Sequence, residues 1–202
     1  KQKRSSLAKE NGISDNTDDL TETEKFARKF FASLVAMKQS GQEIDNNTIN
    51  NFSVSLGKKI VEPNIENKYN GQDIKLSDKD GTESQKKYYL KLTDLFKSYQ
   101  TNGIGDELAM VSDNISSYSA GKSTFNYSGL NDIANAYQAF AGDLIEAPVP
   151  ENLMSYHLDI ANNAYNTGIA VRNMAKMVED PIIGLSGLSQ YQKYSEDFVS
   201  SV

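Results

Sequence analysis

Large apolar side chains recur at three- and four-residue spacing through most of this chain, the interval that places them on one face of an α-helix. Thr21 and Glu24 have the spacing of a reciprocal capping box, in which each side chain satisfies an otherwise orphaned amide. Behind them Phe26, Phe30, Leu34 and Met37 form a stripe, broadened by Ala27 and Phe31 and closed by Gly41. A second stripe of Ile49, Phe52, Leu56 and Ile60 starts near Asn47. It stops at Pro63, because proline disfavours helical backbone in the residue before it. Thr82-Glu-Ser-Gln85 repeats the capping-box spacing ahead of a stripe of Tyr88 or Tyr89, Leu92, Leu95 or Phe96, and Tyr99, and Asn102-Gly103 marks that helix's end. A shorter helix carries Leu108, Val111, Ile115 and Tyr118 as far as Gly121. Another runs from about Tyr127 to Glu146 with Leu130, Ile133, Tyr137, Phe140 and Leu144 in register, beside Ala134 and Ala141, which allow a neighbour close approach.

The longest pattern spans Ala147 to Val178, opened by Pro148-Val-Pro150. It carries two adjoining stripes, one of Met154, Leu158, Ala161, Tyr165 and Ile169, the other of Leu153, Ile160, Ala164, Val171, Met174 and Val178. So wide an apolar face predicts contact with more than one neighbour and a central position. Asp180-Pro181 is a fresh start signal, with Asp180 as cap and Pro181 where its missing amide is harmless. Ile182, Leu185, Leu188 and Tyr191 follow. Residues 64–81 break the helical rhythm: Asn70-Gly71 and Asp80-Gly81 are turn signals, and Ile74 alternates with Leu76 as in a short strand. The expected fold is all-α, an irregular antiparallel bundle of six or seven helices with an irregular or β-hairpin insertion near residues 64–81. Residues 1–20, polar and nearly free of large apolar side chains, are expected as a flexible arm, and residues 21–202 as one helical domain.

Composition narrows the function classes. The 202 residues suffice for a core that needs no disulfide or metal, and the chain has no cysteine, which excludes thiolate metal sites and a disulfide framework. Net charge is −6, and no basic face is available to neutralise phosphates, so nucleic acid is not an expected partner. No apolar run of 18 residues exists to span a bilayer. Lys1-Gln-Lys-Arg4 is a short basic cluster, of the kind found just outside a removed hydrophobic anchor or left by a cloning step.

Each candidate for chemistry has a plainer explanation. His157, the one histidine, shares its helix face with Leu153, Met154, Ile160 and Ala161, which neither ligate a metal nor orient an imidazole. Packing is its expected role. Gly121-Lys-Ser-Thr124 imitates a phosphate-binding loop, but Ser116 stands where that motif needs its first glycine. Asp78-Lys-Asp-Gly81 imitates a calcium loop, yet Leu76 and Lys87 occupy the first and last ligand positions. Gly184-Leu-Ser-Gly187 has Leu188 where a nucleophile elbow needs glycine. Carboxylates sit mainly in the arm, at caps and on polar helix faces. Asn46, Asn114 and Asn126 head glycosylation-like triplets, which arise often by chance. No catalytic, metal-binding or cofactor-binding residue is therefore expected. Of the eleven tyrosines, Tyr88, Tyr99, Tyr118, Tyr137 and Tyr165 fall at packing positions. Tyr191 and Tyr194, in a polar C-terminal stretch, are the candidates for an exposed contact surface.

Three segments carry a resemblance: FFASLVAMKQSGQEIDNNTI from Phe30 to Ile49, PVPENLMSYHLDIANN from Pro148 to Asn163, and EDPIIGLSGLSQYQ from Glu179 to Gln192. The chain from about Phe26 onward resembles an uncharacterised family of predicted membrane-anchored proteins of candidate-phyla bacteria with reduced genomes, most loosely over residues 64–126. The resemblance implies an N-terminal transmembrane segment before Lys1, a helical domain on the extracytoplasmic face of the cell membrane, and no particular chemistry. The expectation that follows is a non-enzymatic, membrane-tethered protein that acts through contacts with a protein partner, as in a surface, secretion or pilus assembly. The alternative is an extracytoplasmic module that binds cell-wall glycan or a small apolar molecule between its helices. An exposed apolar or tyrosine-bearing patch would favour the first, and a preformed cavity the second.

Overall fold

The computed structural model describes residues 20–40, 64–78, 81–100, 104–119 and 127–202. All regular elements among them are helical: α1 (Glu22–Gln39), α2 (Thr82–Tyr99), α3 (Glu107–Ser119), α4 (Tyr127–Ile145), α5 (Met154–Met174) and α6 (Pro181–Ser201), with a single 3-10 turn at Glu151–Leu153 before α5. The chain is all-α. None of the described helices is long and apolar enough to cross a membrane. The backbone divides into two compact units, residues 1–54 and 55–202, so the division falls inside the stretch expected to be one domain. The arm before residue 20 and the helix expected from Asn47 to Pro63 lie outside the described residues.

In the first unit, α1 opens on the expected capping box. The Thr21 hydroxyl accepts from the Glu24 amide at 3.2 Å, and the Glu24 carboxylate accepts from the Thr21 amide at 2.9 Å.

The second unit is built on α4, α5 and α6. Leu130, Ile133, Ala134 and Tyr137 of α4 share a core with Val171 and Met174 near the end of α5. Phe140, Ala141, Leu144 and Ile145 share another with Ile160, Ala161 and Ala164 near its start. Ascending positions on α4 thus meet descending ones on α5, and the two helices are antiparallel. Every residue of the predicted α4 stripe, with Ala134 and Ala141, is buried. Each fully buried large aliphatic there contributes roughly 1.5–3 kcal/mol.

α5 packs against both α4 and α6, as its two stripes predict. Glycine makes this possible. A Cβ on Gly168 would lie 2.7 Å from the Ala134 carbonyl of α4, and one on Gly187 of α6 would lie 2.5 Å from the Met174 amide nitrogen. Gly184-Leu-Ser-Gly187 is therefore a close helix contact, not a strand-to-helix elbow. α5 ends at Met174, short of the predicted Val178; the next five residues are turns that bring the chain to Asp180. There the Asp180 carboxylate accepts from the Ile183 amide at 3.4 Å with Pro181 in the first turn, as the start signal predicts. The second capping box differs. Gly81, at φ 113°, is the N-cap of α2 and no side chain caps it; Thr82 is already helical. The left-handed backbone that glycine alone enters freely takes the cap position from the threonine.

Residues 64–78 form an irregular strap, not a hairpin. A turn at Asn70 to Asp73 is closed by the Asp73 amide on the Asn70 carbonyl at 3.0 Å. Leu76 pairs with Val149 in one isolated parallel bridge, through Ser77 N–H to Val149 C=O at 2.9 Å and Val149 N–H to Lys75 C=O at 2.8 Å. Side chains of α5 and α6 hold the rest. Asn162 accepts from the Tyr69 amide at 2.8 Å and donates to the Tyr69 carbonyl at 3.0 Å. The Tyr194 hydroxyl accepts from the Ile65 amide at 3.0 Å and donates to its carbonyl at 3.3 Å.

Candidate functional site

Aromatic residues spaced three apart on two helices converge beside the middle of α4, where the two core clusters meet. Phe96 and Tyr99 of α2 face Tyr137 and Phe140 of α4, and Phe198 of α6 closes over them. The centroids of Phe96 and Phe140 are 4.9 Å apart, those of Tyr99 and Phe140 5.6 Å, of Phe140 and Phe198 5.8 Å, and of Tyr137 and Phe198 6.2 Å. Most of these pairs are edge-on, which aligns positive ring edges with negative faces. The rings do not fill the space between the helices. They line, with Gln100 and Ile104, a cavity of about 110 Å³. For scale, an apolar cavity of about 150 Å³ accepts benzene.

Ile104, Tyr137 and Phe198 also line a larger, open groove of about 660 Å³, together with Tyr191, Ser195, Glu196, Val199 and Ser200. The site therefore has an apolar inner chamber and a more polar outer channel. Tyr99 also borders a shallow depression with Asp132, Asn135, Ala136 and Ala139. Its hydroxyl donates to Asp143 at 2.8 Å, and burial, then that bond, raises the phenol to about 12.

Behind the groove wall lies Glu107, the first residue of α3, with none of its surface exposed. Its Oε2 accepts from the Tyr191 hydroxyl at 3.1 Å and from the Gly105 amide at 3.0 Å. Its Oε1 has no hydrogen-bond partner among the described residues. No lysine, arginine or histidine pairs with it there; the ion pairs of the described residues lie elsewhere. Burial, reinforced by the Glu107 charge, pushes the Tyr137 and Tyr191 phenols well above their usual range, so both remain protonated donors.

A second buried polar pair lies away from this cavity. The Tyr88 hydroxyl of α2 sits 3.0 Å from Nδ1 of His157 on α5, which is fully buried. Burial lowers the imidazole to about 4 and raises the Tyr88 phenol to about 12, so both are neutral at pH 7. Packing is the expected role of His157, but a partner that orients its ring does exist: it comes across from α2, not from the histidine's own helix.

Tyr194 does not belong to an exposed contact surface. Tyr194 is 6 % exposed and is committed to the Ile65 backbone, while Tyr191 is half-buried in the groove wall with its hydroxyl on Glu107. Their polar neighbours point outward, but Gly187, Gln190 and Tyr194, at three- and four-residue steps, all face inward. Asn114 is buried within α3, where no glycan could be attached. Gly121 to Thr124, and Lys79 and Asp80 of the calcium-like segment, lie outside the described residues. Among the described residues no three histidine, aspartate or glutamate side chains converge as a metal centre requires. Sequence patterning placed Phe96, Tyr99, Tyr137 and Phe140 in the core, but not the chamber between them; Glu107 carried no signal beyond its place ahead of Leu108.

No protein-family model, no curated protein and no solved structure matches the chain.

Proposed function

We propose that the second unit is a non-enzymatic binding module that holds a small, largely apolar molecule between α2, α4 and α6. The observation that carries this reading is the ring-lined chamber and the groove that shares Ile104, Tyr137 and Phe198 with it, since ligand sites are concave, mostly apolar and provided with a few polar groups. The lining favours an apolar or aromatic ligand over a cell-wall glycan, which would need more hydrogen-bonding groups than Gln100 and the phenols offer. Placement at the outer face of a cell membrane belongs to the same proposal and is supported by the family resemblance alone.

Small aromatic probes such as indole and 2-phenylethanol are expected to raise the melting temperature in a concentration-dependent way. Ile104→Trp, at the mouth shared by chamber and groove, should abolish the rise while the protein stays folded. Failure of every such probe to bind would overturn the proposal.

A second reading, contact with a protein partner, is supported by Leu185 and Leu188. They lie three apart on α6 and are 49 % and 37 % exposed. A photo-cross-linker at position 188 in cells tests it; capture of no protein there would count against it.

A further inference from the structure

We infer that the ligand of the aromatic chamber is a cation, an apolar or aromatic body carrying an ammonium group, with Glu107 as its counter-charge. The inference rests on the binding-module reading and specifies the ligand's charge.

Three independent observations converge. First, the chamber is lined by the rings of Phe96, Tyr99, Tyr137, Phe140 and Phe198, and aromatic faces attract a desolvated cation through their quadrupoles. Second, the charged residues that line the groove and the neighbouring depression among the described residues are acidic, Glu196 in the groove and Asp132 in the depression; the nearest described cation at the depression, Arg172, is taken up by Asn135 at 2.7 Å. An anionic ligand in the groove would meet the like charge of Glu196. Third, Glu107 is a fully buried carboxylate without a cationic partner among the described residues: the groups that face it, the Tyr191 hydroxyl, the Gly105 amide and the Tyr137 phenol, are all neutral. An isolated buried charge is costly and is ordinarily paired. The Tyr191 hydroxyl ties this carboxylate to the groove wall, and Tyr137, whose phenol its charge perturbs, borders both groove and chamber. A cation in the groove beside these phenols would therefore lie within the field of Glu107, in a setting where burial keeps the interaction strong.

The test compares three probes of one shape and different charge on the whole chain: 2-phenylethylammonium, 2-phenylethanol and phenylacetate. Affinities are read by calorimetry at pH 7. The expected order is ammonium over alcohol by about tenfold, with phenylacetate weakest. In Glu107→Gln the ammonium should lose its advantage while 2-phenylethanol binds as before. If the alcohol binds as well as or better than the ammonium, or the preference survives in Glu107→Gln, the cation inference fails and the binding-module reading stands. If no probe binds, both fail. Should Glu107→Gln not fold, the order of the three probes on the unaltered protein decides the question alone.

Discussion

The Tyr88 hydroxyl and Nδ1 of His157 lie 3.0 Å apart in the interior, joining α2 to α5 by a bond between two groups that burial keeps neutral. The histidine is thus a structural element with a built-in acid sensitivity. Its value in the unfolded chain is 6.5 and in the fold about 4, so the fold favours the neutral ring. That contribution is complete above pH 6.5, declines as pH falls through the interval down to about 4, and is then lost. The full loss is about 3 kcal/mol. Urea unfolding midpoints between pH 7.5 and 4.5 should fall accordingly, and His157→Gln, neutral throughout, should flatten this part of the profile.

Asn162 substitutes for a neighbouring strand by meeting both the amide and the carbonyl of Tyr69. Asn162→Leu should cost about 2 kcal/mol, since it removes two bonds and leaves their backbone partners half-buried. Hydrogen exchange at the Tyr69 amide should accelerate in this variant far more than at α4 core amides.

Two glycines should respond to alanine with opposite signs. Gly187→Ala drives a methyl to 2.5 Å from the Met174 nitrogen and should destabilise by about 1–3 kcal/mol through overpacking. Gly142→Ala meets only the Tyr69 hydroxyl at 3.8 Å and should stabilise α4 by up to about 1 kcal/mol. Thermal unfolding of the two variants checks both directions.

Tyr194→Phe keeps the ring but removes the hydroxyl that serves both polar groups of Ile65. A loss of about 1–2 kcal/mol is expected. Were Tyr194 a contact residue of an exposed surface, the same change would leave the unfolding midpoint unmoved.

What could be read from the chain alone was local or periodic. The Thr21 and Asp180 starts, the α4 stripe and the central place of α5 all follow from residues within one or two turns of each other. Gly81 displaced the predicted Thr82 cap because a positive φ was needed there, and periodicity carries no information on φ. The partner of His157 lies 69 residues away in sequence, and no pattern on its own helix could reveal it. The chamber was hidden for the same reason: its rings sit where core rings belong, and only the separation between helices decides whether they meet or leave room. Tyr194 was misplaced by weighing its polar neighbours above its spacing from Gly187.

The strap at residues 64–78 also orders events in time. The pairs α4–α5 and α5–α6 join neighbours in the chain, whereas the strap's bonds to Asn162, Asn166 and Tyr194 close separations of 93, 99 and 129 residues. Closing such long loops carries an entropic cost that only an assembled partner surface repays. The three-helix framework is therefore expected to condense first and the strap to dock last. Interactions made after the barrier act chiefly on the rate of escape, so weakening Asn162 or Tyr194 should shorten the lifetime of the folded state while hardly slowing its formation.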